Sequence, residues 1–267
     1  GLNEDAYVLN PEAGIYGAID GVSAMEALEH PQNLTSAYMA SRILAKELQE
    51  CPPGADLKAA VLRANVALLR SMEESGVDLS SPWKRWGAVF AVFRVGEHAI
   101  DFAQAGDCML FARYKDASVR VLTHNQVSGL ERITLDLKRE LRTSGMMTPE
   151  QINRRLREQS ALNRSFANRP DGYAVLNGDP ALAFHMEHGT ISKSGIDRLY
   201  AVSDGMFHLM DYDEDPAKWE HFLDRLDELG IDGYIDELVQ AEQLDPDCTR
   251  YIRHKKSDDK TAVIVKL

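Results

Sequence analysis

The sequence predicts an α+β protein in which strands and helices form separate layers. Two amphipathic helical stretches follow one another near the start, and from Trp86 to Leu122 the apolar period changes to that of strands. Runs of strands alternating with paired helices argue against a parallel sheet built from βαβ units. The 267 residues, 44% of them hydrophobic, are enough for one large core or two small ones. We expect a single domain over residues 1–267, because the four acidic sites described below span nearly the whole chain.

The predicted elements follow one another without an internal repeat. They begin with a strand over 17–22, helices over 32–50 and 56–76, and an antiparallel meander over 88–93, 99–102 and 109–114. Further strands are predicted at 182–184, 199–202 and 261–267, and further helices at 216–229 and 234–244. The segment 125–169 between these groups is polar and helical and has few apolar anchors, so we predict that it forms a flap or lid.

Net charge, cysteine content and hydrophobicity indicate which partners and which cellular compartment this protein would have. The net charge is −12 and no basic patch stands out, so we expect no nucleic-acid partner. Three sparse cysteines give no disulfide framework and fit a reducing compartment. No apolar run reaches the roughly 18 residues of a membrane-spanning helix, and no signal peptide is visible. We expect a cytoplasmic protein that does not contact a membrane.

Carboxylates recur where the predicted strands begin or end. They are Asp20 before Gly21, Asp107 after Gly106, Asp204 before Gly205, and Asp258 before the last strand. A single Asp-Gly pair is weak evidence for a metal site, because such pairs occur in ordinary turns. Their recurrence predicts a shared site for hard cations, since aspartate oxygens suit Mg²⁺ or Mn²⁺. Two such ions activate a water and neutralise a phosphate ester, so we expect metal-assisted phosphate hydrolysis.

Five ordered motifs support the same chemistry. They are Asn3-Glu4-Asp5-Ala6, Ala18-Ile19-Asp20-Gly21-Val22, Ala105-Gly106-Asp107-Cys108, Ala201-Val202-Ser203-Asp204-Gly205 and Asp258-Asp259-Lys260-Thr261. Together they resemble the metal-dependent Ser/Thr phosphatases of the protein phosphatase 2C (PPM) family, bacterial type. The resemblance implies a four-layer α-β-β-α sandwich, two antiparallel sheets flanked by helices, with two Mn²⁺ or Mg²⁺ ions.

The resemblance also implies roles for the residues in the motifs. Asp20 would bridge the two metals, with the Gly21 carbonyl on one of them. Asp204 and Asp258 would complete one metal shell, and a water between the metals would attack phosphorus in line. The supporting residues would be Glu4 and Asp5, which hold metal-bound waters, and Asp259, which orients the last loop.

This sequence departs from the family at the third metal and at the substrate phosphate. The family usually places an acidic residue four positions after the aspartate that matches Asp204, and His208 stands there. The third site, which would share Asp107, is therefore expected to be altered or lost. We favour a helix-start histidine over a third-metal ligand or general acid for His208. The arginine that grips the phosphate in the family would fall just before Gly1.

No substrate-binding residue is identified with certainty by its pattern. Arg85, Arg164 and Arg169 are candidates for binding a substrate phosphate through their forked donors. The favoured interpretation of all three is that they are solvated surface arginines.

The expected function is hydrolysis of phosphoserine or phosphothreonine in a protein, opposing a Ser/Thr kinase. Two alternatives stay open. One is a catalytically weakened phosphatase-fold protein with a binding or regulatory role, which Ser23-Ala24, Cys108 and His208 motivate. The other is a phosphatase for a sigma-factor regulator or a small phosphoester.

Overall fold

A computed structural model describes residues 2–22, 24–25, 33–144, 147–207, 217–253 and 255–267. In these residues nine strands form two antiparallel sheets. The strands are β1 (Ala6–Asn10), β2 (Ile15–Val22), β3 (Gly87–Val95), β4 (Ala99–Ala105), β5 (Met109–Tyr114), β6 (Val119–Val121), β7 (Glu187–Ser192), β8 (Ile196–Val202) and β9 (Ala262–Lys266). The first sheet has the order β1-β2-β3-β4-β7 and the second β6-β5-β8-β9.

Six α-helices accompany the sheets in the described residues. They are α1 (Ser36–Gln49), α2 (Leu57–Glu74), α3 (Ser128–Ser144), α4 (Pro149–Arg164), α5 (Leu182–His185) and α6 (Lys218–Gln243). Side-chain caps begin the first two, since Thr35 accepts from the Tyr38 N–H and Asp56 from the Ala59 N–H. Gly230 interrupts α6 with a φ of +70°, which divides it near the boundary predicted from sequence. Within the described ranges, every helix is too short or too polar to cross a membrane.

Neighbouring side chains of the central strands face different layers of the fold. On β3, Phe90 packs against α1 and α2, while its neighbour Ala91 faces the second sheet. On β8, Ala201 faces the layer shared by the two sheets, and Tyr200 packs under α6. Because successive side chains of a strand point to opposite faces, the order of layers is helix, sheet, sheet, helix. The predicted α+β sandwich is confirmed.

The predicted meander is wrong in its third strand. β3 and β4 pair, but β4 continues to β7, and β5 joins the second sheet between β6 and β8. The chain crosses between the sheets at Gly106, which has a φ of +77° and where a Cβ would lie 2.2 Å from a methyl group of Val89. The buried amide of Gln104 donates to the carbonyls of Gly106 and Cys108 at 2.7 and 3.0 Å. This crossing sets Asp107 at the seam between the two sheets.

The predicted strand at 182–184 is also wrong, because these residues form the short helix α5. A contact with α2 turns the chain just before it. Asn65 accepts from the Gly178 N–H and donates to the Asp179 carbonyl, both at 2.8 Å. The Asp179 carboxylate then accepts from the Ala181 N–H at 2.8 Å. A short apolar run alone does not distinguish a strand from such a turn of helix.

The segment 125–169 is helical, as predicted, and consists mainly of α3 and α4. Thr148 and Gln151 form a capping box at the start of α4. α3 is tied to the loop before β9, since Lys138 Nζ donates to the Arg253 carbonyl at 2.6 Å and Arg142 Nη1 to the Cys248 carbonyl at 3.3 Å. This loop also carries Asp258. The role of the segment as a flap stays a prediction.

Candidate metal centre

Register in the first sheet brings two acidic residues to one edge. β1 and β2 are antiparallel, and Ala6 is paired with Ile19. Asp5 precedes Ala6 and Asp20 follows Ile19, so both lie at the same end of the sheet. Gly21 is the next residue of β2 and is paired with Ala88 of β3.

Register in the second sheet brings three more acidic residues to the same end of the sandwich. Met109 at the start of β5 and Ala262 at the start of β9 both pair with Val202 at the end of β8. The residues before β5 and β9 therefore lie beside those that follow β8. These positions hold Asp107, Asp258 and Asp204.

The carboxylates from the two sheets lie close enough to repel one another. Burial and then the charge of Asp204 raise the pKa of Asp20 well above its ordinary value, and Asp5, Asp107 and Asp258 add to the effect. Burial and then Asp258 also raise the pKa of Asp204, against a hydrogen bond with Asp20. These side chains therefore form an acidic cluster whose members repel one another.

The donor chemistry of the cluster fits a hard cation. The buried Oδ1 atoms of Asp107 and Asp204 have no hydrogen-bond partner among the described residues. A buried carboxylate oxygen without a donor is unfavourable, and Mg²⁺ and Mn²⁺ are held by such oxygens. Gly205 lets the chain close up here, since a Cβ on it would lie 1.9 Å from the Asp259 carbonyl oxygen. The residues present therefore suit a divalent ion.

The side chains of the acidic cluster do not form a complete set of metal ligands. Across the described residues, no group of three or more His, Cys, Asp or Glu side chains is arranged so that it could hold a metal ion. Lys255 forms an ion pair with one oxygen of the cluster, since its Nζ lies 2.5 Å from Asp258 Oδ1. Burial alone would lower the pKa of Lys255, but Asp258, Asp20 and Asp204 raise it. Its ammonium group thus neutralises part of the charge that a cation would otherwise neutralise.

Asp5 and Ser203 link the two sheets beside the cluster. Ser203 Oγ donates to Asp5 Oδ2 at 2.8 Å and accepts from the Thr261 N–H at 3.0 Å. Burial raises the pKa of Asp5 to about 6, although hydrogen bonds with Ser203 and Thr261 act against it. Ser203 therefore positions Asp5 relative to the ends of β8 and β9.

Asp259 lies between the first residues of the chain and Asp258. Its Oδ2 accepts from the Glu4 N–H at 2.7 Å, and its own N–H donates to Asp258 Oδ1 at 2.9 Å. The Glu4 carbonyl in turn accepts from Ser41 Oγ of α1 at 2.6 Å. The segment that carries Glu4 and Asp5 is therefore fixed to both α1 and the last loop.

Sequence reasoning missed a further acidic residue, Glu131 of α3. Burial and then the charges of Asp204 and Asp258 raise its pKa to about 7. Its own charge helps to raise the pKa of Asp107, after burial and Asp204. A lone glutamate in a polar helix gives no signal of this kind, whereas Ser203 and Lys255 stand beside predicted motifs. Ser23 and His208 lie outside the described residues, so the altered third metal site stays a prediction.

Comparison with known proteins finds likeness in structure but not in sequence. No protein-family model matches the chain, and no curated protein sequence matches it. The serine/threonine phosphatase PstP/Ppp of Mycobacterium tuberculosis is 18% identical and has a TM-score of 0.54, covering 100% of this chain and 93% of that chain. Stp1 from Staphylococcus aureus is 16% identical with a TM-score of 0.55, covering 100% and 90%. The catalytic domain of PstP in complex with two manganese ions is 17% identical with a TM-score of 0.52, covering 99% and 90%.

The likeness covers the whole chain at low identity, so it bears on the fold. The two sheets of five and four strands and the flanking helices correspond to one known architecture. This chain therefore has the α-β-β-α fold of the bacterial serine/threonine phosphatases.

Proposed function

We propose that this protein is a metal-dependent phosphatase that hydrolyses phosphoserine or phosphothreonine in a protein substrate. The observation that carries the proposal is the meeting of carboxylates from both sheets at one end of a fold that PstP and Stp1 share. The two manganese ions in a PstP structure support two divalent ions, Mn²⁺ or Mg²⁺, as cofactors. We propose that residues 1–267 form one cytoplasmic catalytic domain with a flap at 125–169. Its activity would oppose that of a Ser/Thr kinase.

The residues that would hold the two ions are Asp20, Asp204 and Asp258, with the Gly21 carbonyl. When bound, two such ions neutralise the charge of the phosphate and lower the pKa of a nearby water. Asp107 would contribute to a third, weaker site, altered by His208. The outer residues Glu4, Asp5 and Asp259 would orient the ligands, as their contacts with one another and with Asp258 support.

The protein's own groups must rearrange before they can act as ligands. Burial and the neighbouring carboxylates raise the pKa of Asp20 and of Asp204, and both groups must be ionised before they can serve as ligands. Lys255 must release Asp258 Oδ1. Ser203 keeps Asp5 in place during this change, because its hydroxyl joins the ends of the two sheets.

Hydrolysis assays test the proposal directly. Purified protein should hydrolyse phosphoserine or phosphothreonine peptides and p-nitrophenyl phosphate only when Mn²⁺ or Mg²⁺ is added. Asp20→Asn removes a ligand charge and should lower kcat/KM by about 100-fold or more. Asp236→Asn, which changes an exposed carboxylate of α6, is the matched control and should retain the original rate. The absence of metal-stimulated hydrolysis of both kinds of substrate would contradict the proposal.

One observation favours a second candidate, a binding or regulatory protein on a weakened phosphatase fold. In the described part of the chain no three of these side chains are arranged so that they could hold a metal ion, and Lys255 is bound to Asp258. Titration calorimetry with Mn²⁺ separates the two candidates. The second would bind no pair of ions, and Asp20→Asn would leave the titration unchanged. Substrate profiling separates a protein substrate from a sigma-factor regulator or a small phosphoester.

A further inference from the structure

A pocket that contains two arginines lies beside the acidic cluster. It is small, with a cavity volume of about 20 Å³, and it is partly open to solvent. Its lining includes Val22, Arg85, Trp86, Arg164, Tyr173 and Asn177. Two guanidinium groups in one pocket are a local exception in a chain whose net charge is −12. Of the three arginines expected to be surface residues, Arg169 is exposed, whereas Arg85 and Arg164 line this pocket.

The backbone orients the first of these arginines. Arg85 directly follows the 3-10 turn Pro82–Lys84. Its Nε and Nη2 donate to the Leu79 carbonyl at 3.1 and 2.9 Å. A carbonyl oxygen fixes the direction of a guanidinium group without neutralising its charge. Arg85 is therefore preorganised as a cation.

The second arginine is partly buried at the end of α4. Burial lowers the pKa of the Arg164 guanidinium, and Tyr173 acts in the opposite direction. The planar fork of an arginine matches the two oxygens of a carboxylate. The chemistry of the pocket therefore fits a carboxylate ligand.

Val22 relates the pocket to the proposed reaction centre. Side chains two residues apart on a strand share a face, so Val22 follows Asp20 on the face directed toward the second sheet. Two residues of an antiparallel strand advance about 7 Å. On the other side of the pocket, burial raises the pKa of Tyr173, Arg164 lowers it and Asp107 raises it further. The pocket therefore adjoins the acidic cluster.

An extended peptide bound at the cluster would reach the pocket with a side chain two residues away, because its alternate side chains are also spaced by about 7 Å. We propose that the pocket of Arg85 and Arg164 binds an acidic side chain two residues from the phosphorylated residue. This inference rests on the proposed function and deepens it, since it names acidic phosphopeptides as the substrate class.

Three phosphoserine peptides test the inference with Mn²⁺ present. They carry Glu, Gln or Lys at both positions two residues from the phosphoserine. The unaltered protein should favour the Glu peptide over the Gln peptide by about tenfold in kcat/KM, since a charge-assisted hydrogen bond is gained. Arg164→Glu should reverse the order and favour the Lys peptide over the Glu peptide by about tenfold. Loss of folding does not produce such a reversal.

A matched variant separates the pocket from net charge. Arg157→Glu makes the same change at an exposed position of α4 and should keep the original order of peptides. Arg85→Gln should reduce the preference for Glu over Gln. Equal rates on all three peptides, with the unaltered protein and with Arg164→Glu, would overturn the inference while leaving the phosphatase proposal intact.

A binding assay decides the inference even if no peptide is hydrolysed, an outcome that would count against the phosphatase proposal alone. Fluorescence anisotropy with the same peptides, labelled and in the presence of Mn²⁺, measures the pocket without turnover. Tighter binding of the Glu peptide, reversed by Arg164→Glu, supports the pocket. Equal affinity for the Glu, Gln and Lys peptides overturns it.

Discussion

The carboxylates at the strand ends and those around α6 differ in what surrounds them. At the strand ends, Asp20 is surrounded by other carboxylates, and burial together with their charges raises its pKa. On α6, Asp227 accepts from Tyr200 Oη at 2.9 Å and pairs with Arg198 Nη1 at 2.8 Å. The same residue type therefore destabilises one region and stabilises the other. The difference teaches that the first region carries repulsion that a bound cation would relieve, whereas the second holds a helix in place.

Asp245, just after α6, shows the paired arrangement in its strongest form. Burial alone would raise the pKa of Asp245, but the N–H groups of Arg250 and Tyr251 and the guanidinium of Arg253 hold it well below its ordinary range. Arg253 Nη1 lies 2.6 Å from Asp245 Oδ2. These contacts order the loop that leads to Asp258, so the paired region supports the acidic cluster.

The largest change in stability is expected where a buried ion pair is broken. The side chains of Glu242 and Lys260 are 8% and 5% exposed, and Lys260 Nζ lies 2.7 Å from Glu242 Oε1. Glu242→Ala leaves the ammonium group buried without its carboxylate and should lower the free energy of unfolding by about 3–5 kcal/mol. Urea unfolding measures this. Glu73→Ala, at an exposed position of α2, is the control, and an equally small effect of both would contradict the role of the pair.

The acidic cluster should respond most to an added cation. Mn²⁺ at a hundred times its Kd stabilises the folded protein by about 2.7 kcal/mol, which corresponds to an increase in Tm of roughly 5–10 °C. Asp204→Asn should reduce this increase, because it removes one ligand charge, whereas Asp236→Asn should not. Differential scanning calorimetry measures both. Identical melting curves with and without Mn²⁺ would count against a cation site.

When metal is absent, the contributions of the acidic cluster and of Asp245 to stability should change in opposite directions with pH. The pKa of Asp5 is raised to about 6 and that of Glu131 to about 7. The folded protein keeps protons that the unfolded chain has released, so this stability is complete below about pH 4 and is lost as the pH rises toward 7. The shift of Asp5 alone corresponds to about 2–3 kcal/mol. The contribution of Asp245 has the opposite sign, because it is present above about pH 4 and lost as the pH falls.

We therefore expect the Tm in EDTA to pass through a maximum at about pH 4. Adding Mn²⁺ should move the maximum to higher pH, since the ion replaces the bound protons at the cluster. Thermal melts from about pH 3 to 8 measure this. A Tm in EDTA that increases steadily across this range would contradict the repulsion between the carboxylates.

The smallest effect is expected at the link between the two sheets. Ser203→Ala removes the hydroxyl that donates to Asp5 and accepts from the Thr261 N–H. Loss of these bonds should lower the free energy of unfolding by about 1–2 kcal/mol. Ser194→Ala, at an exposed position, is the control and should have little effect. If urea unfolding gave equal values for the two variants, Ser203 would not stabilise the link.

Much of the fold could be predicted because its signals are local. The helices predicted over 32–50 and 56–76 correspond to α1 (Ser36–Gln49) and α2 (Leu57–Glu74). Their caps and apolar periods act within a few residues. The sheet assignment of β5 could not be predicted, because it depends on the crossing at Gly106 and on the partners β6 and β8. The helix α5 depends on Asn65 of α2 in the same way.

The residues of the candidate site also differ in whether the sequence alone predicts them. Asp20, Asp204 and Asp258 stand out in the sequence because each adjoins a strand, and the register brings such residues to one end of the sandwich. Glu131 and Arg164 give no such signal, because each lies in a polar helix whose neighbours in sequence reveal nothing about its neighbours in space. Their roles follow from how α3 and α4 contact the loop before β9 and the turn at Pro82–Lys84.

The sequence by itself determined where most strands and helices form and that carboxylates lie at strand ends, since period-two alternation, caps and glycine turns operate over a few residues. Only the tertiary structure decided that Ser203 joins the two sheets and that Arg85 and Arg164 share one pocket. The physical reason is that these contacts join distant segments, whose approach depends on how the whole sandwich packs.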